Sequence, residues 1–344
     1  MGISSGMLLS ALGLLLVLTQ FPTPEIALAH ATADARAFDL QGHRGGRGLW
    51  PENTLQGFAE ALTLGVDTLE LDCAVTKDGV VVLSHDPLLN PEITRDASGK
   101  FIETHGPSFH SLTYAQLHKY DVGRIKPGTP YAALYPDQKG MDGVRIPRLA
   151  DLFALVKKSG NTMVRFNIET KITPLKPDET VGAQAFAEAV VKVVREAKME
   201  KRAAIQSFDW RTLAVVKKIA PEIETVALTT LRPGGGNVAP GAPGPSPSLG
   251  GLDVDDFGGS IPKAVKAIGA TAWSPNWGDV AAAQVKEAQG LGLKVIPWTI
   301  NESADMEKFI DMGVDGIITD RPDRLRAVLK TKGLNLPTPT PVKP

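Results

Sequence analysis

Short apolar runs of strand length alternate along most of this chain with amphipathic stretches of helical length. The apolar runs, which predict strands, cover residues 38–42, 68–75, 162–168, 203–207, 224–229, 271–274, 294–299 and 316–319. The amphipathic stretches, which predict helices, cover residues 54–64, 149–158, 184–198, 210–219, 261–268, 280–291, 303–312 and 322–330. Glycines stand where helices should end, at Gly65, Gly160, Gly269, Gly292 and Gly313. The pattern therefore predicts eight consecutive β-α units.

Consecutive β-α units predict a parallel sheet, because each helix carries the chain back to the edge at which the previous strand began. Eight units predict an α/β fold, a (β/α)8 TIM barrel over residues 38–330 with an insertion after the second strand. The open, doubly wound sheet is the alternative. Functional residues of a TIM barrel lie at the carboxyl ends of its strands. The chain places these residues at or near such ends: His43, Glu70, Asp72, Glu169, Gln206, Trp298 and Asp320.

Two long segments interrupt the alternation. The first, residues 87–147, follows the Asp78-Gly79 turn and a short apolar run at 80–83, which together are typical of a β-hairpin. Because this segment leaves from a β-α connection, we expect a lid-like insertion that overhangs the mouth of the barrel. The second, residues 232–251, is rich in proline and glycine and predicts a mobile loop that buries no core.

The two ends of the chain do not follow the β-α pattern. Residues 7–18 form an apolar run that is too short to cross a bilayer, and Ala-Leu-Ala follows at 27–29. These features predict a signal peptide at residues 1–29 and a secreted, periplasmic protein. No Lys or Arg precedes the run, so a buried helix or an uncleaved anchor is the alternative. Residues 331–344, with repeated prolines, predict a disordered tail.

Composition and charge limit the classes of partner. The 344 residues are 43% hydrophobic and 22% charged, which is ordinary for a soluble globular protein. The formal net charge of −1 gives no electrostatic reason to expect nucleic acid or an anionic membrane as a partner. Cys73 is the only cysteine, so no intramolecular disulfide can form. The sequence leaves the oligomeric state open.

Two carboxylates in the second strand indicate a metal site. Glu70 and Asp72 are alternate residues of this strand, so their side chains point to the same face. Neighbouring carboxylates repel each other unless a cation lies between them or one is protonated. Because Mg²⁺ and Ca²⁺ prefer oxygen ligands, the pair indicates a site for a hard divalent cation. A solvated edge strand with two surface acids is the alternative.

Several motifs occur in the order that is found in one enzyme family. They are His43-Arg44-Gly45, Pro51-Glu52-Asn53-Thr54, Glu70-Leu71-Asp72, Lys77-Asp78-Gly79, His85-Asp86, Asn167-Ile168-Glu169-Thr170-Lys171, Gln206-Ser207-Phe208, Pro297-Trp298-Thr299 and Thr319-Asp320-Arg321-Pro322. With these motifs the chain resembles the glycerophosphodiester phosphodiesterases, of the secreted or periplasmic bacterial type, over about residues 38–328. The ordered set is specific, whereas any single motif would be a weak signal.

The resemblance implies metal-dependent hydrolysis of glycerophosphodiesters to glycerol 3-phosphate and an alcohol such as choline or ethanolamine. It implies that Glu70, Asp72 and Glu169 hold one divalent cation, Ca²⁺ or Mg²⁺. His43 and His85 are expected to act as general acid and base, because imidazole titrates near neutral pH. Which histidine is the acid and which is the base stays open.

Three more residues are expected to contact the substrate. Arg44 suits bidentate contact with phosphoryl oxygens, and pairing with Glu52 is its alternative role. Lys171 is expected to face the phosphate or a neighbouring carboxylate. Trp298 is expected to form a wall beside the glycerol group or, alternatively, to fill the barrel. Asn53 is expected to cap the helix that follows it.

Two other functions are compatible with the motifs. One is a related phospholipase D-like or phospholipase C-like phosphodiesterase, and the other is a non-catalytic phosphodiester-binding protein. In each case the expected partner is a small phosphodiester, a glycerophosphodiester in the preferred interpretation. Neither nucleic acid nor stable membrane insertion after removal of the signal peptide is expected.

Overall fold

A nine-stranded sheet organises the chain in the computed structural model, which describes residues 1–3, 38–172, 174–232 and 236–344. Its strands are β1 (Asp39–Gly42), β2 (Thr68–Val75), β3 (Val81–Leu83), β4 (Arg165–Thr170), β5 (Ala203–Ser207), β6 (Glu224–Thr229), β7 (Ala272–Pro275), β8 (Lys294–Val295) and β9 (Gly316–Thr319). Parallel neighbours follow the order β8-β7-β6-β5-β4-β2-β1-β9, and β3 pairs with β2 in the antiparallel sense.

Backbone hydrogen bonds join the two ends of this strand order. The N–H groups of Asp315 and Ile318 donate to the carbonyl groups of Val295 and Pro297. The molecule is therefore a (β/α)8 barrel, as predicted, and the open doubly wound alternative is wrong. The predicted hairpin is also confirmed, since β3 follows the turn at Gly79 and pairs with β2.

Helices alternate with the parallel strands and cover the outside of the barrel. They are α1 (Leu55–Leu64), α4 (Leu149–Lys158), α5 (Ala183–Ala197), α6 (Trp210–Ile219), α7 (Ile261–Ala267), α8 (Ala282–Gly290), α9 (Ser303–Met312) and α10 (Pro322–Thr331). Two short helices, α2 (Tyr114–Leu117) and α3 (Pro130–Leu134), belong to the insertion between β3 and α4. None of the described helices is long and apolar enough to span a membrane.

The barrel belongs to a compact unit of residues 36–344, and residues 1–35 are a separate unit. Apart from residues 1–3, the predicted signal peptide at 1–29 lies outside the described residues. Its assignment therefore stays a prediction.

The central strand β2 has an apolar outer face and a polar inner face. Leu69, Leu71 and Cys73 are fully buried in the core between the sheet and the helices. The alternate residues Glu70 and Asp72 are also buried and point to the opposite face. Because β2 lies between β1 and β4, the alternative of a solvated edge strand is wrong.

The strand register brings the predicted metal ligands to neighbouring positions inside the barrel. Glu70 and Asp72 of β2 lie opposite Asn167 and Glu169 of β4, and Glu169 lies opposite Gln206 of β5. Directly opposite residues of adjacent strands point to the same face of the sheet. Three carboxylates and two amides therefore converge on the barrel interior.

The insertion contacts the loop between β1 and α1, at the carboxyl end of the barrel. The Gln138 side-chain amide and the Lys139 N–H donate to the carbonyl groups of Arg47 and Leu49, each at 2.8 Å. These bonds hold this part of the 87–147 segment beside the mouth.

The Pro/Gly-rich loop, residues 232–251, differs from its prediction. Val238 and Leu249 are buried in the main core, so the expectation that this loop buries no core is wrong. The Asn237 side chain accepts from the Thr230 N–H at 3.0 Å and donates to two backbone carbonyl groups at 2.9 Å. These bonds satisfy backbone groups that burial would otherwise leave unpaired.

The C-terminal segment 331–344 also differs from the predicted disordered tail. The Thr340 N–H donates to the Leu62 carbonyl group of α1 at 2.8 Å, and the Lys158 ammonium of α4 donates to the Lys343 carbonyl group at 2.8 Å. Val342 packs against the main core. The segment after α10 therefore lies against α1 and α4 as an extended strap.

Asp67 carries an unfavourable charge at the opposite, amino end of the barrel. Its Oδ2 accepts from the Leu40 N–H at 3.0 Å. Burial, and secondarily the nearby Asp39 carboxylate, raise the pKa of Asp67 from 3.8 to about 6. Between pH 3.8 and about 6, the Asp67 carboxyl therefore keeps its proton in the folded state, whereas the unfolded chain releases it. The free energy of unfolding decreases across this range, and the contribution of the protonated carboxyl is lost as the pH rises through about 6.

We expect Asp67→Asn to increase the free energy of unfolding by about 1 kcal/mol at pH 7.5, a value reduced for partial exposure, and to change it little at about pH 4. Asparagine keeps the acceptor for the Leu40 N–H but carries no charge. Urea denaturation at both pH values measures the difference. Asp178→Asn, at an exposed position, is the matched control. An equal effect of Asp67→Asn at both pH values would contradict the charge explanation.

Candidate active site

The turn after β1 holds two predicted functional side chains at the mouth. His43, Arg44 and Gly45 form one 3₁₀ turn directly after β1. Gly45 has a φ of 82°, and a Cβ there would lie 3.1 Å from the Phe58 side chain. Glycine therefore lets the turn pack closely against α1. His43 and Arg44 are both buried by this packing.

Glu70, Asp72 and Glu169 form a buried carboxylate cluster in which one oxygen of each lies within 4.8 Å of the others. Burial, and then the Asp72 carboxylate, raise the pKa of Glu70 well above its ordinary value. Burial raises the pKa of Glu169 to about 7, although the Lys171 ammonium opposes the shift. Asp72 Oδ1 is buried without a hydrogen-bond partner among the described residues. An unpaired oxygen and three crowded carboxylates fit a hard divalent cation, whose charge would offset their repulsion.

Asn53 fixes the Asp72 carboxylate and does not cap α1, contrary to the prediction. Its amide donates to Asp72 Oδ2 at 2.9 Å, and its side-chain oxygen accepts from the Asp72 N–H at 3.1 Å. The next residue, Thr54, is the cap, because its hydroxyl oxygen accepts from the Gly57 N–H at 3.0 Å. Asn53 has a φ of 54°, a conformation that asparagine adopts more readily than most residues.

Arg44 connects the turn to the carboxylates. Its NH1 donates to Glu52 Oε1 at 2.7 Å, its Nε lies 3.1 Å from Asp72 Oδ2, and its backbone N–H donates to Glu70 Oε2 at 2.8 Å. The pairing with Glu52 that the sequence left as an alternative is therefore present. Burial raises the pKa of Asp72, but Arg44, His85 and Lys171 together outweigh burial and hold this pKa well below its ordinary range.

A ladder of amides supports the cluster from inside the barrel. The Gln206 amide donates to Glu70 Oε1 at 2.7 Å. The Asn167 amide donates to the side-chain oxygens of Gln206 and Gln41, both at 2.9 Å. Gln206, for which the sequence suggested no role, therefore orients a predicted metal ligand.

His43 is oriented by Asp320. Its Nδ1 lies 2.6 Å from Asp320 Oδ1. Burial raises the pKa of Asp320, but Arg47 and His43 outweigh burial and keep the carboxyl ionised, so the His43 Nδ1 hydrogen donates to it. Burial, and then Arg47, lower the pKa of His43 to about 4, so the ring is neutral at pH 7. His43 Nε2, 3.9 Å from Glu70 Oε2, is then the nitrogen that can accept a proton.

His85 is more open to solvent than His43, with a side chain that is 33% exposed. Its Nδ1 lies 3.0 Å from Asp86 Oδ1, and the Asn90 amide donates to Asp86 Oδ2 at 2.7 Å. Burial, and then the Arg44 guanidinium, lower the pKa of His85 below its ordinary value. Both predicted catalytic histidines therefore have a carboxylate partner at Nδ1.

Lys171 and Trp298 stand on the cavity wall. Lys171 Nζ lies 2.7 Å from Glu169 Oε1 and 4.0 Å from Asp72 Oδ1, so it faces neighbouring carboxylates. The Trp298 indole N–H donates to the Ser274 carbonyl group at 3.0 Å, and its ring packs edge-on against that of Phe208 at 5.3 Å. Trp298 is half-buried and lines the cavity, so it is not simply barrel filling.

A cavity of about 590 Å³ joins these groups. Of the predicted site residues, it is lined by His43, Arg44, Glu70, His85, Glu169, Lys171 and Trp298. Asp72 lies behind this surface, fully buried within the carboxylate cluster. The structure therefore brings together all of the residues that the sequence selected for the site.

Arg47 and Tyr131 are cavity residues that the sequence did not select. Arg47 Nε donates to Asp320 Oδ1 at 2.7 Å, and Arg47 NH1 donates to the Tyr131 hydroxyl at 3.3 Å. The Tyr131 hydroxyl in turn donates to Glu52. The Arg47 guanidinium also lies 4.9 Å from the centre of the Tyr135 ring. One local feature of the sequence could have indicated that Arg47 belongs to the site: it lies four residues after His43 in a glycine-rich loop.

Comparisons with known proteins relate the chain to one enzyme family. Residues 43–324 match the model of the glycerophosphoryl diester phosphodiesterase family. A glycerophosphodiester phosphodiesterase from Caldanaerobacter subterraneus subsp. tengcongensis is 30% identical over 294 residues, which cover 85% of this chain and 97% of the relative.

Solved structures share the barrel. The crystal structure of a Silicibacter pomeroyi DSS-3 protein matches with a TM-score of 0.77 and 35% identity, over 87% of this chain and 95% of that one. An Oleispira antarctica phosphodiesterase matches with a TM-score of 0.62 and 19% identity, over 85% of this chain and 96% of that one. At this low identity the second match concerns the fold alone.

We expect the protein to bind Mg²⁺ or Ca²⁺ at the carboxylate cluster, and Asp72→Asn to weaken this binding by about tenfold or more. An amide is a poorer ligand than a carboxylate for a hard cation. Calorimetric titration of chelator-treated protein measures both affinities. Asp137→Asn, which changes an ion pair with Arg321 at the rim, is the matched control. Equal affinity in all three proteins would exclude the cluster as the binding site.

Proposed function

Because the chain belongs to the glycerophosphoryl diester phosphodiesterase family and is thus a phosphoric diester hydrolase, we propose that it hydrolyses glycerophosphodiesters to glycerol 3-phosphate and an alcohol with one divalent cation, Ca²⁺ or Mg²⁺. The observation that carries the proposal is the meeting of two histidines and a carboxylate cluster at one cavity. The Oleispira antarctica protein is in complex with the product sn-glycerol-3-phosphate, which is the product proposed here.

Glu70, Asp72 and Glu169 are the residues that would hold the cation. When bound, it would offset the charge that builds on the phosphoryl oxygens and position the glycerol hydroxyl. Arg44 and Lys171 add positive charge on the same wall, where they attract and orient the phosphodiester anion. Their carboxylate partners keep both side chains in place before substrate arrives.

Two neutral histidines then supply proton transfer. In the first step one imidazole accepts a proton from the attacking hydroxyl, and the other protonates the departing alcohol. The charged Asp320 and Asp86 stabilise the imidazolium forms of His43 and His85, because each faces an Nδ1 hydrogen. In the second step the two imidazoles exchange roles, so each serves once as acid and once as base.

The glycerol hydroxyl next to the phosphoester is the proposed nucleophile. The chain contains no recognisable serine, cysteine or threonine nucleophile motif. The substrate hydroxyl is already tethered to the phosphorus, so its attack avoids the entropic cost of bringing two molecules together. Attack forms a cyclic phosphate, which water then opens. Trp298, on the cavity wall, would bound the space that the glycerol group occupies.

Secretion is part of the proposal as well. The apolar run at 7–18 and the Ala-Leu-Ala site support a cleaved signal peptide, which would leave the barrel as a periplasmic enzyme. N-terminal sequencing of the exported protein tests this assignment.

We expect His43→Ala and His85→Ala each to lower kcat by about a hundredfold or more, because each removes a proton-transfer group. Turnover of glycerophosphocholine measures the loss, and both variants should still bind the substrate. His110→Ala, at an exposed position of the insertion, is the control and should keep its activity. Near-normal turnover in either of the first two variants would remove that histidine from the mechanism.

We expect an analogue of glycerophosphocholine in which hydrogen replaces the 2-hydroxyl to react at least about a hundredfold more slowly, because the tethered nucleophile is gone. Release of choline measures the rate. An analogue that lacks only the 1-hydroxyl is the matched control. Equal rates for the first analogue and for glycerophosphocholine would favour direct attack by water.

A further inference from the structure

One tyrosine hydroxyl of the insertion lies between two ion pairs of the site. The Tyr131 hydroxyl donates to Glu52 Oε2 and accepts from Arg47 NH1 at 3.3 Å. Glu52 forms the first ion pair through its other oxygen, which lies 2.7 Å from Arg44 NH1. Arg47 forms the second, with Asp320, at 2.7 Å. The hydroxyl is therefore the point at which the two pairs meet.

Each ion pair holds a different functional side chain. Arg44 is the proposed phosphate contact, and Asp320 accepts the hydrogen bond from His43 Nδ1 at 2.6 Å. The side chains of Arg44, Glu52, Arg47 and Asp320 are at most 13% exposed. Charges that are buried to this degree are screened only weakly, so the orientation of each side chain depends strongly on its partner.

The two pairs contain a third, competing attraction. Glu52 and Arg47 carry opposite charges and contact the same oxygen, yet no ion pair joins them in the described part of the chain. A direct contact between them would draw Glu52 away from Arg44 or Arg47 away from Asp320. The hydroxyl satisfies both groups at once, because it donates to the carboxylate and accepts from the guanidinium. Each charge can therefore stay with its own partner.

Tyr131 is presented by a helix that contributes nothing to the core. It is the second residue of α3, and none of the residues of α3 is buried. Thr129 caps the helix, and the Tyr131 ring packs edge-on against the Tyr135 ring at 5.0 Å. The Arg47 guanidinium lies 4.9 Å from the centre of the Tyr135 ring. The helix is therefore placed by its contacts with the loop between β1 and α1, and not by the core.

We propose that Tyr131 is a positioning residue, whose hydroxyl keeps the Arg44–Glu52 pair apart from the Arg47–Asp320 pair. In this way one side chain of the insertion sets the orientation of both Arg44 and His43. The inference rests on the proposed function, to which it adds a residue that acts through others. Burial, and then the Glu52 carboxylate, raise the pKa of Tyr131 well above its ordinary value, so the hydroxyl keeps its proton and serves only as a bridge.

Tyr131→Phe removes the bridge and keeps the ring. We expect kcat for glycerophosphocholine to fall and KM to rise, because His43 and Arg44 both lose their orientation, with a loss in kcat/KM of about tenfold or more. The midpoint of thermal unfolding should stay close to that of the unchanged protein. Unchanged kcat and KM would overturn the proposal.

Tyr120→Phe is the matched control for this variant. It makes the same chemical change in the same insertion, but Tyr120 packs against an apolar cluster separate from the main core and does not line the cavity. Its kinetics should equal those of the unchanged protein. An equal loss in both variants would assign the effect to the insertion as a whole and overturn the role of the Tyr131 hydroxyl.

A double-mutant cycle with Arg47→Met tests whether the hydroxyl separates two charges. Without Arg47 no neighbouring cation can draw Glu52 from Arg44, although His43 loses part of its support through Asp320. In this background Tyr131→Phe should lower kcat/KM by less than about threefold. A tyrosine that only stabilises the fold would cost the same in both backgrounds, so equal losses would overturn the proposal.

A crystal structure of Tyr131→Phe gives a readout that needs no turnover. We expect Arg47 and Glu52 to form a direct ion pair, with their charged atoms within about 4 Å, and one of the two original pairs to be broken. If Arg44, Glu52 and Arg47 keep their positions, the hydroxyl does not separate the pairs and the proposal is wrong. Absence of turnover on glycerophosphocholine by the unchanged protein would contradict the proposed function alone.

Discussion

The burial of three carboxylates inside the barrel is the constraint on which the rest of the site depends. Ionised groups are costly away from water unless opposite charges and hydrogen-bond donors surround them. Barrel interiors are usually filled by branched apolar side chains, yet here Glu70, Asp72 and Glu169 face inward beside a ladder of amides. Arg44 and Lys171 compensate part of the charge. The remaining repulsion between the carboxylates is what a bound divalent cation would offset.

Much of the fold and of this cluster could be predicted from the sequence, because both follow from local periodicity. Alternation in β2 places Glu70 and Asp72 on one face whatever the rest of the chain does. Barrel topology then adds Glu169, since parallel strands bring their carboxyl ends to the same mouth. Strand assignments and one rule of topology therefore bring the three carboxylates to one mouth, whereas the roles expected of Glu169, His43 and His85 came from the family resemblance.

The remaining contacts depend on tertiary packing, which local patterns do not encode. Asp320 orients His43 from 277 positions away in the chain, so no spacing could reveal the pair. Asn53 and Thr54 are both favourable caps, and the choice between them is made by Asp72, whose backbone and carboxylate engage Asn53. The prediction that the Pro/Gly-rich loop buries no core was wrong for a related reason. Composition describes the average of a segment, whereas the single side chain of Asn237 anchors this loop through three hydrogen bonds.

The contact of Tyr131 with Glu52 and Arg47 ties the insertion to the first loop of the barrel. Glu52 also holds Arg44, so the insertion and the turn after β1 share one carboxylate. The two segments are therefore structurally coupled, and an engineered change in one affects the other. A chimaera that receives the insertion of a relative would place a foreign side chain against Glu52 and Arg47. To keep Arg44 in its orientation, positions 47 and 52 would have to be transplanted together with the insertion.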